Sequence, residues 1–83
     1  MTVNGILCKL FVKFLCDILW EKFGKNLKKY RLENGFTQEQ FAELTNLSVT
    51  YISLLENGRA NATLLTVEKI SAILKIDFLK LFE

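Results

Sequence analysis

The chain has 83 residues, room for one small domain, and its 51% apolar content supports a thin core rather than a multidomain architecture. Eleven Lys and Arg stand against nine Asp and Glu, so the net charge of +2 is too small to mark a nucleic-acid or membrane partner, and any basic function has to be local. There is no His, the commonest general base and metal ligand, and the only cysteines, Cys8 and Cys16, are too few for a four-ligand zinc site. On a helix those two lie about 12 Å apart along the axis, beyond disulfide reach. These features argue against an enzyme, a bound metal or cofactor and a secreted disulfide scaffold, and for reduced thiols in the cytoplasm.

With no Pro, four Gly and no low-complexity tract, the chain reads as helices joined by short turns, an all-α protein. Residues 1–22 form the first element, an apolar helix dominated by Ile6, Leu7, Leu10, Phe11, Val12, Phe14, Leu15, Ile18, Leu19 and Trp20. Lys9, Lys13, Asp17 and Glu21 follow one another at i,i+4 and drift about 40° per step, drawing one narrow polar stripe. A membrane span is disfavoured by magnitude. Roughly nine strong hydrophobes at about −0.45 kcal/mol each do not offset three charges at about +3 kcal/mol each. Asp17 within the apolar run and the lack of a preceding basic segment also fit a signal peptide poorly.

Residues 23–83 form the second unit, with helices expected near 23–34, 37–45, 49–57, 63–75 and 77–82. Gly35 and Gly58 are placed to take the left-handed conformation that closes a helix. Thr37 with Gln40 three residues later is a capping-box pattern, and Ser48, Thr63 and Asp77 are further N-cap candidates. Phe36, Phe41, Leu47, Ile52, Leu55, Val67, Ile70, Leu74, Phe78 and Leu81 are the expected core.

The segment from Thr37 to Leu55, TQEQFAELTNLSVTYISLL, sets two short helices around a tight turn. Ala42 is small where the helices must cross, and Asn46 stands where the turn needs a positive φ. Leu47, Ile52 and Leu55 supply the buried side, leaving Val49, Thr50, Ser53 and the bordering Leu54 facing outward on the second helix.

The text from Phe23 to Phe82, nearly three-quarters of the chain, resembles the Cro and phage-repressor-like helix-turn-helix proteins, the xenobiotic-response-element type. The resemblance is carried by Arg31, Gly35, Thr37-Gln38, Phe41-Ala42, Leu47-Ser48, Tyr51-Ile52-Ser53, Glu56-Asn57-Gly58-Arg59 and Ile76-Asp77-Phe78 with Leu81-Phe82. It implies a five-helix repressor-like DNA-binding domain preceded by the extra apolar helix. By the same resemblance Gln38 binds a DNA phosphate, Val49, Thr50 and Ser53 read bases in the major groove, and Leu54 borders them. Asn57 and Arg59 become phosphate contacts, and Ser48 both caps the helix and approaches the backbone. Tyr51 is divided between packing and a phosphate bond through its hydroxyl. Arg31 and Glu56 match a buried ion pair, while Lys25, Lys28 and Lys29 are divided between a solvated face and phosphate neighbours.

Where relatives often carry Gln, Arg or Lys at the reading positions, Val49 and Thr50 offer a methyl face and one hydroxyl, so selectivity is expected to lean on DNA shape and dimer spacing. The short form, Thr50-Tyr51-Ile52-Ser53 with Glu56, and Asn61 with Thr63 are also similar to the controller proteins of restriction-modification systems, small dimers that regulate their own operon and the endonuclease gene. The expected activity is that of a transcriptional regulator, a repressor or autoregulator, acting as a homodimer on a palindromic site in double-stranded DNA. The second reading is a protein-interaction module, such as an antitoxin or adaptor, using the apolar N-terminal helix to bind a partner. That helix is expected to pack on the domain or on its counterpart in a second chain, since a protein this small has little surface to hide it.

Overall fold

The computed structural model describes residues 2–83, with side chains from Val12 onward, and the expectations for the side chains of Ile6, Leu7, Cys8, Lys9, Leu10 and Phe11 lie outside the described residues. Four α-helices run in chain order, α1 (Thr2–Glu33), α2 (Gln38–Thr45), α3 (Val49–Glu56) and α4 (Leu64–Leu74), followed by a 3-10 turn over Phe78–Phe82. No strand occurs among the described residues, in keeping with the all-α expectation.

Two parts of the expected layout are corrected. The apolar N-terminal helix and the helix expected at 23–34 are one element of 32 residues. No proline or cap interrupts the sequence between them, and a single interior glycine, Gly24, costs a helix only about 1 kcal/mol. The expected fifth helix is a 3-10 turn of five residues, short enough for the tighter winding to be tolerated. At 1.5 Å per residue α1 is about 48 Å long, and the molecule's longest dimension is 49 Å. The helix therefore runs the length of the molecule, and among its described side chains those of Val12 to Leu19 are exposed while Trp20 and several residues after it are covered by the other elements.

The ends of the helices follow from local chemistry. Thr37 forms the full capping box, its hydroxyl accepting from the Gln40 amide while the Gln40 side chain accepts from the Thr37 amide. Ser48 and Thr63 accept from the amides of Tyr51 and Thr66, and Asp77 from that of Leu79. Each α-helix closes with the same paired bonds: after α1, Gly35 N–H donates to the Leu32 carbonyl and Phe36 N–H to that of Arg31. The pattern requires a positive φ, found at Gly35 (75°), Asn46 (58°), Gly58 (71°) and Lys75 (57°). Lys75 is the position where no glycine or asparagine announced the conformation.

The core gathers one or more buried residues from every element: Phe23 and Leu27, Phe41 and Ala42, Ile52 and Leu55, Val67, Ile70 and Leu74, and Leu81. Burying each of the larger side chains contributes about 1.5–3 kcal/mol. Phe36 and Leu47 are half-buried against this cluster. Phe78, expected inside, is 43% exposed, because Leu81 and Phe82 make the apolar contact with α1. That contact is an aromatic triad in which Trp20 meets Phe23 and Phe82 edge-on, with centroids 5.1 and 5.9 Å apart, and Phe23 lies 5.3 Å from Phe82. The Asn26 side-chain amide donates to the Leu81 carbonyl at 2.9 Å, fixing the chain end onto α1.

Candidate nucleic-acid interface

The helix-turn-helix is built from α2, α3 and the turn Asn46-Leu47-Ser48. Phe41, Ala42 and Thr45 bury the inner side of α2, and Ile52, Leu55 and Glu56 that of α3. The Thr45 hydroxyl donates back to the Phe41 carbonyl at 2.7 Å, so its buried oxygen has a partner. Asn46 takes the left-handed conformation that the two short helices need to turn, and Ser48 then starts α3. The outer face of α3 carries Val49 (39% exposed), Thr50, the half-buried Ser53 and Leu54 (38% exposed).

This face is held in place by a buried charge. The Arg31 guanidinium donates from Nε to Glu56 Oε2 at 2.6 Å and from Nη2 to Glu56 Oε1 at 3.1 Å. Its Nη1 donates to the carbonyl of Phe36, the residue just before the Thr37 cap, at 2.8 Å. A bidentate pair buried this deeply fixes geometry more than it adds stability, because desolvation offsets most of the attraction. Here it joins α1, the entry to α2 and the end of α3 at one point, so the angle between the two short helices is set by a residue outside both.

The other expected site residues are placed around that point. Gln38, half-buried at the start of α2, donates from Nε2 to Glu56 Oε1 at 3.1 Å, which leaves its second amide hydrogen free for another acceptor. The Asn57 side chain folds back to donate to the Ser53 carbonyl at 2.8 Å, and Asn57 remains exposed. Arg59 is exposed and makes no ion pair among the described residues. Tyr51 is half-buried, and its hydroxyl donates to the Asn61 carbonyl at 2.8 Å, tying α3 to the segment before α4. Packing thus accounts for the ring and for the hydroxyl proton. Lys29 lies 5.5 Å over the Tyr30 ring, whereas Lys25 and Lys28 line a cleft with Gln38 and Asn57.

Reasoning from sequence missed Gly24. A Cβ there would collide with the Leu55 carbonyl oxygen and lie 2.8 Å from that of Glu56, so α1 crosses the end of α3 with backbone nearly touching backbone. A glycine inside an otherwise helical run was the available signal.

The chain matches the family described as helix-turn-helix (HTH_3) over residues 27–81. This protein belongs to that family. Its members are DNA-binding transcriptional regulators rather than enzymes. Among curated relatives of this HTH_3 chain, the control protein C.MunI of a Mycoplasma species is 47% identical over 62 residues, 74% of this chain and 84% of the relative. Among solved structures, the restriction-modification controller protein C.AhdI from Aeromonas hydrophila superposes with a TM-score of 0.72 at 33% identity, covering 76% of this chain and 96% of that one. SinR, a master regulator for biofilm formation solved in complex with DNA, gives a TM-score of 0.69 at 31% identity, covering 74% and 98%. The HTH_3 match begins at residue 27, inside α1, so more than three-quarters of that helix precedes the matched region. No helix among the described residues is long and apolar enough to cross a membrane.

Proposed function

We propose that this protein is a homodimeric operator-binding regulator of the restriction-modification controller kind, a repressor or autoregulator that reads a two-fold-symmetric site in double-stranded DNA in the cytoplasm. The observation that carries the reading is the outward face of α3, where Val49, Thr50, Ser53 and Leu54 lie together on a helix whose start is capped by Ser48 and whose end is anchored by Glu56. Val49 packs on a thymine methyl, Thr50 and Ser53 supply hydroxyls to base edges, and Gln38, Asn57 and Arg59 hold phosphates on either side. Two such faces one helical turn apart, about 34–36 Å, define the operator. C.MunI and C.AhdI support the controller assignment, and the DNA complex of SinR supports the use of this fold on duplex DNA.

Dimerisation is assigned to the apolar segment 1–22, which from Thr2 onward is the first part of α1. Val12, Phe14, Leu15, Ile18 and Leu19 are all exposed, Phe14 to 61%, and by themselves offer roughly half of the ~800 Å² per partner that a standard interface buries. A second copy of the same helix supplies the matching apolar surface without any additional partner.

The test is selection from a random duplex pool at low salt, with wild type, Thr50→Ala/Ser53→Ala and Gln38→Ala. Wild type is expected to enrich a palindrome, the α3 variant to relax its sequence and the Gln38 variant to weaken binding at every sequence. Absence of duplex binding at low salt, with a second protein co-purifying, would replace this reading by the interaction-module one.

A further inference from the structure

Phe14 and Ile18, both exposed on α1, each stand nine residues before a buried residue of the same helix, Phe23 and Leu27. Nine residues are two and a half helical turns, so Phe14 and Ile18 project from the side of α1 opposite the one the other elements cover. A second helix can lie along that side and run past the level of Phe23 without meeting α2, α3, α4 or the 3-10 turn. The sequence continues the line with Phe11 and Leu7, so residues 7, 11, 14 and 18 keep the alternating four-and-three spacing of a two-helix seam.

The charges beside this seam are ordered. Lys9, Lys13, Asp17 and Glu21 recur every four residues, two cations followed by two anions. Lys13 and Asp17 are exposed and, although i,i+4 neighbours, form no ion pair with each other or with any described residue. The order is antisymmetric about Leu15, because Lys13 and Asp17 lie equally far on either side of it, as do Lys9 and Glu21. Two parallel copies of α1 would set each lysine level with a lysine and each carboxylate level with a carboxylate. Two antiparallel copies centred near Leu15 set Lys13 level with Asp17 of the second copy, and Lys9 level with Glu21. The apolar line agrees on that centre to within one residue, since residues 11 and 18 straddle positions 14 and 15.

We propose that α1 pairs antiparallel with α1 of a second copy, with Phe14 and Ile18 in the seam, Phe14 beside its own counterpart and Lys13 reaching Asp17 across the edge. The proposal rests on the dimer reading and adds the direction and register of the pairing. Exposed ion pairs contribute little each, so the apolar seam supplies the affinity and the charges choose the orientation. Direction matters for DNA because Gly24, where α1 crosses α3, is nine residues from Leu15. Antiparallel pairing separates the two crossings by about 27 Å along the pair, whereas parallel pairing puts them level. The register of α1 therefore sets the separation of the two reading faces.

The experiment treats the full chain with a carbodiimide, which joins an ammonium and a carboxylate in contact as an amide with loss of water, and maps the linked peptides alongside mass by light scattering. Lys9 and Glu21 are about 18 Å apart along one helix, and equally far apart between parallel copies, so an amide between them arises only between antiparallel ones. That crosslink is expected in the dimer. Lys13→Glu is expected to raise the dimer dissociation constant roughly 5- to 30-fold, by turning two attractive pairs repulsive, with helical content unchanged by circular dichroism. Lys13→Glu/Asp17→Lys is expected to return it to within about twofold of wild type. A dimer that lacks the Lys9–Glu21 crosslink, or that ignores Lys13→Glu because like charges face each other before and after, overturns the pairing while the dimer reading stands. A wild-type chain of monomer mass overturns the pairing and the dimer reading together.

Discussion

Gly24 and Leu55 are in backbone contact across the crossing of α1 and α3, closer than any side chain at residue 24 allows. Gly24→Ala improves helix propensity by up to about 1 kcal/mol, but the added methyl must push two helices apart against peptide carbonyls, which have no rotamer to retreat into. A net loss of about 1–3 kcal/mol is expected, read as a lower denaturant midpoint with an unchanged slope.

Arg31 and Glu56 give a second test, because each buries its partner's charge. Removing one alone, as in Arg31→Met or Glu56→Leu, is expected to cost about 3–5 kcal/mol. The double variant Arg31→Met/Glu56→Leu should be markedly more stable than either single variant, since no unpaired charge remains. Its DNA affinity is nevertheless expected to stay low, because Gln38 loses the acceptor that holds it. Equilibrium unfolding and a duplex-binding assay on the same three proteins separate the two effects.

Lys75 takes the left-handed conformation with a Cβ that penalises it, and Asn46 takes it at lower cost. Lys75→Gly should therefore stabilise the fold by up to about 1 kcal/mol after the extra entropy of glycine in the unfolded chain is deducted. Asn46→Ala should destabilise it by about 1 kcal/mol. The opposite signs are visible as opposite shifts of the thermal midpoint.

Phe14 and Ile18 lie on the uncovered part of α1 and make no contribution to the core. Phe14→Glu/Ile18→Glu is expected to halve the mass measured by light scattering and leave the monomer folded. Deletion of residues 1–16 should do the same, provided the cut spares Trp20, which packs on Phe23 and Phe82. An unchanged mass in both variants would remove this helix from the dimer interface.

Much of the fold was legible because its signals are local. Thr37 with Gln40, Ser48, Thr63 and Asp77 act within three residues of themselves, and Gly35, Asn46 and Gly58 set the backbone by their own steric freedom. The outward face of α3 was legible for the same reason, since Val49, Thr50 and Ser53 follow from helical period once Ile52 and Leu55 are placed inside. Phe78 and the separate N-terminal helix were misjudged because periodicity says which side of an element is apolar, and not which apolar residue a neighbour covers or whether two helices fuse.

The sequence by itself determined that this is an all-helical protein with a capped helix-turn-helix, a buried Arg31–Glu56 pair foreseen through its resemblance to known repressors, and an apolar N-terminal segment. Only the tertiary structure decided that the segment continues directly into the DNA-binding domain, that Gly24 lets α1 press onto the end of α3, and that Gln38 shares Glu56 with Arg31. The last two of these depend on groups 18 to 31 residues apart meeting in space. Backbone bonding and capping are decided within a turn or two of chain, whereas close approach and shared acceptors exist only once the helices have packed.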